Sequence, residues 1–393
     1  MAEPSRAVKA ARPTLPAGLQ NELWARAAGR CEFRGCNELL YVDSLTHRHS
    51  NLGVISHIVA FSPKGPRGHE TRSDLLQRDI SNLILTCRTH GKIIDDRDKV
   101  ADYPEELLLT FKREHEERIR MLTSIGPDAR SHVLLVQAPI DGCGFSIDQA
   151  RAFQALLPGY PADESAEIID LCGITLPASS RGFFPVLASA LSQQLQAVLR
   201  RRPAGADIRS LSVFALAPVP LLVHLGHELG DIRQVDLFQK HRSGESWTWR
   251  AEEQTADVYE VIRPESPDGD TEVAVVLSIS EHVQPALVAP VLGSPGATYE
   301  LRAHGAGPDF LSSRKRLEVF GYEFRKLLAE VRAAHGSRRR VHLVAAVPAP
   351  VAIEAGRSIR KFDPEFIVYE FDKRTLGYFP ALTINPRTEL LHD

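Results

Sequence analysis

The sequence predicts an α/β protein of two parts, a small N-terminal domain with clustered Cys and His and a larger C-terminal domain made of two similar halves. Three observations carry this. Cys31-x4-Cys36 and Cys87-x2-His90 place four metal-ligating side chains in two pairs within the first quarter of the chain. After residue 132, continuous apolar runs such as HVLLVQAPI and EVAVVLSIS alternate with helix-like segments, the texture of strands covered on both faces. Finally, VFALAPVPLLVHLGHEL (213–229) lies over LVAAVPAPVAIEAGRSI (343–359) at a constant offset of 130 residues. Pro218 falls on Pro348, Pro220 on Pro350 and Gly226 on Gly356.

Residues 1–14 read as a flexible arm. They lack the apolar core of a secretory leader, and no apolar run in the chain is long enough to span a bilayer. The expectation is a cytoplasmic protein with no membrane partner. Residues 15–28 read as a short helix with Leu19, Leu23, Trp24 and Ala27 on one face. LGVISHIVAF (52–61) and NLILT (82–86) read as short strands. Pro104 opens a strong helix, PEELLLTFKREHEERIRML; Pro suits a first turn and the acidic pair behind it suits the helix dipole. The polar stretch TSIGPDARSH (123–132) reads as a linker. The small domain is therefore expected over 15–122 and the large one over 133–393.

In the large domain, helix-like segments fall at 183–200 and 315–334. Each repeat copy reads strand, Pro-x-Pro, helix. SSRGFFPVLASAL (179–191) echoes SSRKRLEVFGYEF (312–324), and VDLFQ echoes FIVYE. The halves are expected over about 133–255 and 256–393, facing each other across one composite cleft. Charge is close to balanced: residues 1–120 hold 19 Lys and Arg against 17 Asp and Glu, and the remainder 28 against 33. That permits nucleic-acid contact by the first part without demanding it.

The five cysteines argue against a disulfide framework. Three of them, with His90, make two close ligand pairs. Zinc takes four N or S ligands in a tetrahedron, so Cys31, Cys36, Cys87 and His90 are expected to hold one structural Zn2+. Between the pairs sit His57, at the end of a strand-like run, and Asn82, at the head of the next.

His57-Ile58 behind a strand, Asn82-Leu-Ile-Leu, Cys-x2-His and then a helix resemble the ββα-metal motif of HNH endonucleases. That resemblance implies a small zinc-containing domain with His57 as general base, Asn82 steadying the loop or binding metal, and Mg2+ or another divalent cation at the scissile phosphate. Two positions depart from the family pattern. Ser56 stands where a metal-ligating Asp or His is common, and Gly91 where a ligating His often follows the second knuckle. Asp43, His47, His49, Asp95 and Asp96 lie near in sequence and are alternative ligands. The repeated C-terminal part resembles the SAVED domain, two fused CARF-like Rossmann-type halves that bind cyclic oligonucleotides. Together the resemblances cover nearly the whole chain and point to the HNH–SAVED effectors of CBASS antiphage defence. They imply a cyclic di- or oligonucleotide made by a partner cyclase as activating ligand, double-stranded DNA as substrate, and a homo-oligomer, dimer or tetramer, on ligand binding.

Two segments are ligand candidates. Ser179, Ser180 and Arg181, and Ser312, Ser313 and Arg314, each precede a helix, where unpaired N–H groups and an Arg fork suit a phosphate; plain Ser capping with a solvated Arg explains the same residues. In KHRSGESWTWR, Trp247 and Trp249 can stack a base or pack in the core, and Lys240, His241 and Arg242 are close enough to meet a phosphate. Two rival functions use the same residues. One is a nucleotide-sensing protein whose nuclease site is impaired at Ser56 and Gly91. The other is a restriction-type endonuclease whose second domain reads modified DNA, against which the slightly acidic charge of that domain counts.

Overall fold

The computed structural model describes residues 14–174, 176, 182–200, 210–230, 234–241, 246–250, 258–265, 272–292, 297–336 and 340–386. The chain divides into two units, residues 1–126 and 127–393.

The first unit is built on a two-stranded antiparallel hairpin. Helix α1 (Ala17–Arg26) is followed by a knuckle loop, then β1 (Gly53–His57), a long loop holding the short α2 (Arg72–Leu75), β2 (Leu83–Cys87), α3 (Arg88–Ile94) and α4 (Glu105–Thr123). The pairing sets Gly53 opposite Cys87 and His57 opposite Leu83. Every residue of β2 is buried, so its alternating side chains serve two faces. Leu83 and Leu85 pack with Leu23, Ala27 and Leu40. Ile84 packs the other way, with Ile58, Ile94, Leu108 and Phe111.

In the second unit β3 (Arg130–Gln137), α5 (Gln149–Ala155), β4 (Tyr160–Pro161), β5 (Glu167–Asp170), α6 (Phe183–Arg200), β6 (Leu211–Leu216), α7 (Val219–Leu229) and β7 (Val235–Phe238) come first. Then follow β8 (Tyr259–Ile262), β9 (Val273–Ser278), α8 (Pro285–Leu292), β10 (Ala297–Ala303), α9 (Arg314–His335), β11 (Val341–Ala346), α10 (Ala349–Ser358), β12 (Phe366–Asp372) and β13 (Gly377–Ile384). Strand β3 begins at Arg130, inside the stretch read as linker. Its first residues pair with Tyr160 and Pro161 of β4, which extends the strand past the apolar run.

Two sheets result. In one, β3 pairs in parallel with β4 and β5 on one side and β6 on the other, and β6 pairs with β7. The other has the order β13-β12-β11-β9-β10-β8, with antiparallel pairs only at its two edges. The parallel strands β5-β3-β6-β7 and β10-β9-β11-β12 therefore share one topology, with α6 and α9, and α7 and α10, in matching places. Side chains from both sheets and all four helices form one apolar core. A second cluster covers the opposite face of the first sheet, around Val133, Leu135, Phe214 and Phe238.

The two halves meet where α7 crosses α10, and the crossing is backbone to backbone. A Cβ on Gly226 would lie 1.9 Å from the Ile353 carbonyl oxygen, and one on Gly356 would lie 1.9 Å from that of Val223. Residues 223 and 226 correspond to 353 and 356 at the repeat offset. The contact is thus the same on both helices, as across a twofold axis.

Candidate functional site

The knuckle loop is shaped by local backbone chemistry. Gly35 (φ +84°) and Asn37 (φ +56°) turn the chain through the left-handed region. A bridge between Arg30 and Leu39 closes the loop, so Cys31 and Cys36 point to a common centre. Cys87 ends β2 and caps α3, its sulfur accepting from the His90 N–H, which brings His90 round from the first helical turn. One ligand atom from each of Cys31, Cys36, Cys87 and His90 lies within 4.8 Å of all the others. The His90 Nδ1 stands 3.1 Å from Cys87 Sγ and 3.8 Å from Cys31 Sγ, and Phe33 stacks on the His90 ring at 4.1 Å. Zn–S bonds of ~2.3 Å give a tetrahedral edge of about 3.8 Å, so the donor set fits a tetrahedral cation. Burial pushes the Cys31 and Cys87 thiols up; a bound cation offsets that cost by holding the thiolates. Glu32, buried beside Cys31, accepts from the Leu85 N–H and ties the loop to β2.

The opposite end of the hairpin carries His57 and Asn82. His57 Nε2 lies 3.0 Å from the Gln77 carbonyl oxygen. A carbonyl only accepts, so Nε2 carries a proton and donates it. The buried Asn82 clamps the loop between the strands. Its Oδ1 accepts from the Val59 N–H at 2.7 Å, and its Nδ2 donates to the Val59 and Leu76 carbonyls. Asn82 is thus placed to steady the loop. Arg67 adds a second tie that sequence reasoning missed. Its backbone sits at a positive φ and its side chain, 5% exposed, donates to the Ile58 and Ile94 carbonyls, linking the end of β1 to the end of α3. No periodicity or spacing marks it, since it acts on backbone atoms far along the chain.

Around His57 the structure gathers no second ligand set. Among the described residues the Cys31 cluster is the one group of three or more metal-capable side chains. Asp43 spends its carboxylate on the N–H groups of Leu45 and Thr46, and Asp95 faces Arg67. Among the described residues, none of Asp43, His47, His49, Asp95 and Asp96 belongs to a group of three or more metal-capable side chains. Ser56 is buried with its hydroxyl unpartnered. Gly91 is buried where α3 approaches the hairpin, and a Cβ there would lie 2.8 Å from Thr86 Oγ1 and 3.2 Å from Val54 Cγ1. A ligating side chain at 91 would have to displace both.

In the second unit a cavity of about 540 Å³ lies at the amino ends of β3, β6 and β7. Its lining includes Trp249, Arg250 and Asp236 from the first half and Arg314, the first residue of α9, from the second. The structure thus brings two of the expected ligand residues, Trp249 and Arg314, to one site. Arg314 Nη1 meets Asp236 Oδ1 at 2.6 Å. The Trp249 indole N–H is buried without a hydrogen-bond partner. Asp236 and Arg250 had no sequence signal; the fold alone brings them to Arg314.

Two expectations need correction. Trp247 is core: it is 3% exposed and packs edge-on against Phe214 at 5.2 Å. Its segment is irregular rather than a strand, so the two tryptophans do not form one stacking face. Ser313 is fully buried and caps α9 by accepting from the Arg316 N–H, which leaves it no phosphate to meet. Lys240 does not line the cavity. Ser180, Arg181 and Arg242 lie outside the described residues.

At the carboxyl ends of the strands, Glu370 of β12 accepts from the Phe371 N–H, and its burial pushes it up to about 7. Lys373 and Asp141 pair nearby across the two halves.

No curated protein matches the chain. Among solved structures, it is similar to the SAVED/CARF-domain containing receptor Cap4 of Acinetobacter baumannii. With the cyclic trinucleotide 2'3'3'-cAAA the identity is 14% and the TM-score 0.44, covering 81% of this chain and 67% of that one. The 3'3'3'-cAAA complex gives the same values, and a further structure of that receptor has a TM-score of 0.43. No helix among the described residues is long and apolar enough to cross a membrane. The model of the SAVED family, described as the SMODS-associated and fused to various effectors sensor domain, matches residues 191–384. Those residues form a SAVED domain.

Proposed function

We propose that this chain is a sensor–effector protein of antiphage defence. Its SAVED domain binds a cyclic oligonucleotide made by a partner cyclase, and its first unit is an HNH-type ββα domain directed at double-stranded DNA. The observation that carries the reading is the SAVED match over residues 191–384, in a unit built as two like halves joined at α7 and α10. Cys31, Cys36, Cys87 and His90 hold a structural zinc, which pins the knuckle loop and α3 to the hairpin. His57 and Gly53 sit at opposite ends of β1, so the metal cluster braces the domain from the far end. His57, held at Nε2 by the Gln77 carbonyl, is the base that takes a proton from an attacking water.

The residues present do not fit a catalytic divalent cation. Ser56 and Gly91 supply no ligand, and the neighbouring carboxylates are engaged elsewhere. That favours the second reading for the effector arm: sensing is intact and DNA hydrolysis impaired. A DNA-cleavage assay in Mg2+ or Mn2+, with and without a panel of cyclic di- and trinucleotides, tests both arms. The expected result is saturable nucleotide binding with weak cleavage. Strong ligand-dependent cleavage would show that ligands from elsewhere complete the metal shell. Failure of every nucleotide to bind would remove the sensor reading.

A further inference from the structure

We infer that residues 41–50 of the first unit form a ribbon that seats in a groove of double-stranded DNA, with Leu45 against the base edges and Arg48 on a backbone phosphate. The inference rests on the DNA-directed function proposed above for that unit and says where the duplex is gripped. The segment leaves the knuckle loop and returns into β1. Its two arms are joined in register. The N–H of Leu52 donates to the Leu40 carbonyl, that of Ser50 to Tyr41 and that of Asp43 to Arg48, and Val42 bridges His49.

Both ends of the ribbon are held. At its base the Tyr41 ring covers Gly29, where a Cβ would come within 2.8 Å of it, and the Trp24 ring covers Gly53, where a Cβ would come within 2.6 Å. At its tip Asp43 Oδ1 accepts from the N–H groups of Leu45 and Thr46 and from the Thr46 hydroxyl, and His47 closes the turn at a positive φ. This fixed tip holds Leu45 in water, 87% exposed. One exposed leucine is ordinary on a protein surface, but its neighbours are hydrogen-bond donors. Ser44, His47, Arg48 and His49 are all exposed, and Arg48 makes no ion pair among the described residues. Between Leu40 and Leu52 the one acidic residue is Asp43, and its carboxylate is turned onto the N–H groups of the tip. A duplex matches this surface. Its major groove, about 12 Å wide, admits a two-stranded ribbon, offers thymine methyls to an apolar side chain and is walled by phosphates. A protein partner would call for a broader apolar patch around Leu45. Leu45 is twelve residues from His57, so the two lie within about 40 Å, close to one helical turn of duplex at ~34 Å. Ribbon and His57 can therefore touch one duplex together.

The test is fluorescence anisotropy of a labelled duplex of about 30 base pairs, near three helical turns. The full chain carries His57→Ala, no divalent cation is added, and salt runs from about 50 to about 200 mM. Each protein is measured alone and with cyclic di- and trinucleotides of adenine and guanine. Leu45→Ala, Arg48→Gln and, as a control on α4, Arg113→Gln are added singly, with folding checked by circular dichroism. Arg48→Gln should weaken binding several-fold and reduce the slope of log affinity against log salt by about one. Leu45→Ala should weaken binding several-fold and leave that slope unchanged, since an apolar contact displaces no counterion. Arg113→Gln should leave affinity and slope as they are. If Arg113→Gln weakens binding as much as Arg48→Gln, the attraction is diffuse charge and not the ribbon. If the Leu45 and Arg48 variants bind as the His57→Ala protein does, the ribbon is not the contact, while the DNA reading stands. If that protein binds no duplex under any of these conditions, the ribbon and the DNA reading fall together.

Discussion

Gly226→Ala puts a methyl carbon 1.9 Å from the Ile353 carbonyl oxygen, 2.8 Å from its carbon and 3.0 Å from the Arg357 nitrogen. A close carbon–oxygen contact is about 3.3 Å, so α7 and α10 must part by more than about 1 Å. The opposing atoms are backbone, and no side-chain rotation relieves them. Overpacking of this kind costs ~1–3 kcal/mol and occasionally more. Ala gains ~1 kcal/mol over Gly in helix propensity, which acts in the opposite direction. We expect a net loss of about 2 kcal/mol, because the separation also opens the apolar core around Val223 and Ile353. Urea denaturation of the full chain, followed by circular dichroism, measures it. Gly18→Ala in α1, where a Cβ meets nothing within 4 Å, is the control and should be neutral or slightly stabilising. Gly226→Ala with Gly356→Ala should cost less than the sum of the two, since both push the same helices apart. A Gly226→Ala protein as stable as its parent would refute the close crossing.

Three further outcomes are expected. Cys36→Ala should lose the bound metal, seen by elemental analysis, and unfold the first unit, because metal binding and folding of such a site are coupled; zinc-free parent protein with a folded first unit would contradict it. Glu370 has a folded pKa of about 7 against an ordinary 4.5, so the folded state binds its proton more tightly than the unfolded state does. Its contribution to stability should therefore fall as pH rises from about 4.5 to about 7 and stay flat above, and Glu370→Gln should remove that slope in urea melts across this range. His57→Ala should bring whatever DNA cleavage the chain has to background and leave nucleotide affinity unchanged, because a base acts only in the chemical step; an unaltered cleavage rate would remove His57 from that role.

Local chemistry was legible in the sequence, and long-range placement was not. The paired spacing of Cys31, Cys36, Cys87 and His90 is dictated by ligand geometry, so it shows without a fold. The repeat showed Gly226 over Gly356, while the reason for both glycines appears only where the helices cross. Trp247 and Trp249 could each stack a base or pack in the core, and spacing of two would give them one face only in an extended segment, which this is not. Ser313 looked equally suited to a phosphate or a cap, and burial decides for the cap. Asp236 and Arg67 act on groups 78 and 27 residues away, a distance over which no periodicity carries information. The absence of ligands at 56 and 91 was visible as two departures from a motif. That Gly91 also seals a close approach to Thr86 was not.

The central claim is that the second unit senses a cyclic oligonucleotide. Titration calorimetry of the intact chain against cyclic di- and trinucleotides, with linear dinucleotides as controls, tests it most directly. The account predicts saturable binding of at least one cyclic species at one molecule per chain, with no binding of its linear counterpart. Absence of saturable binding across the panel, by a protein whose two units are shown to be folded, would contradict it.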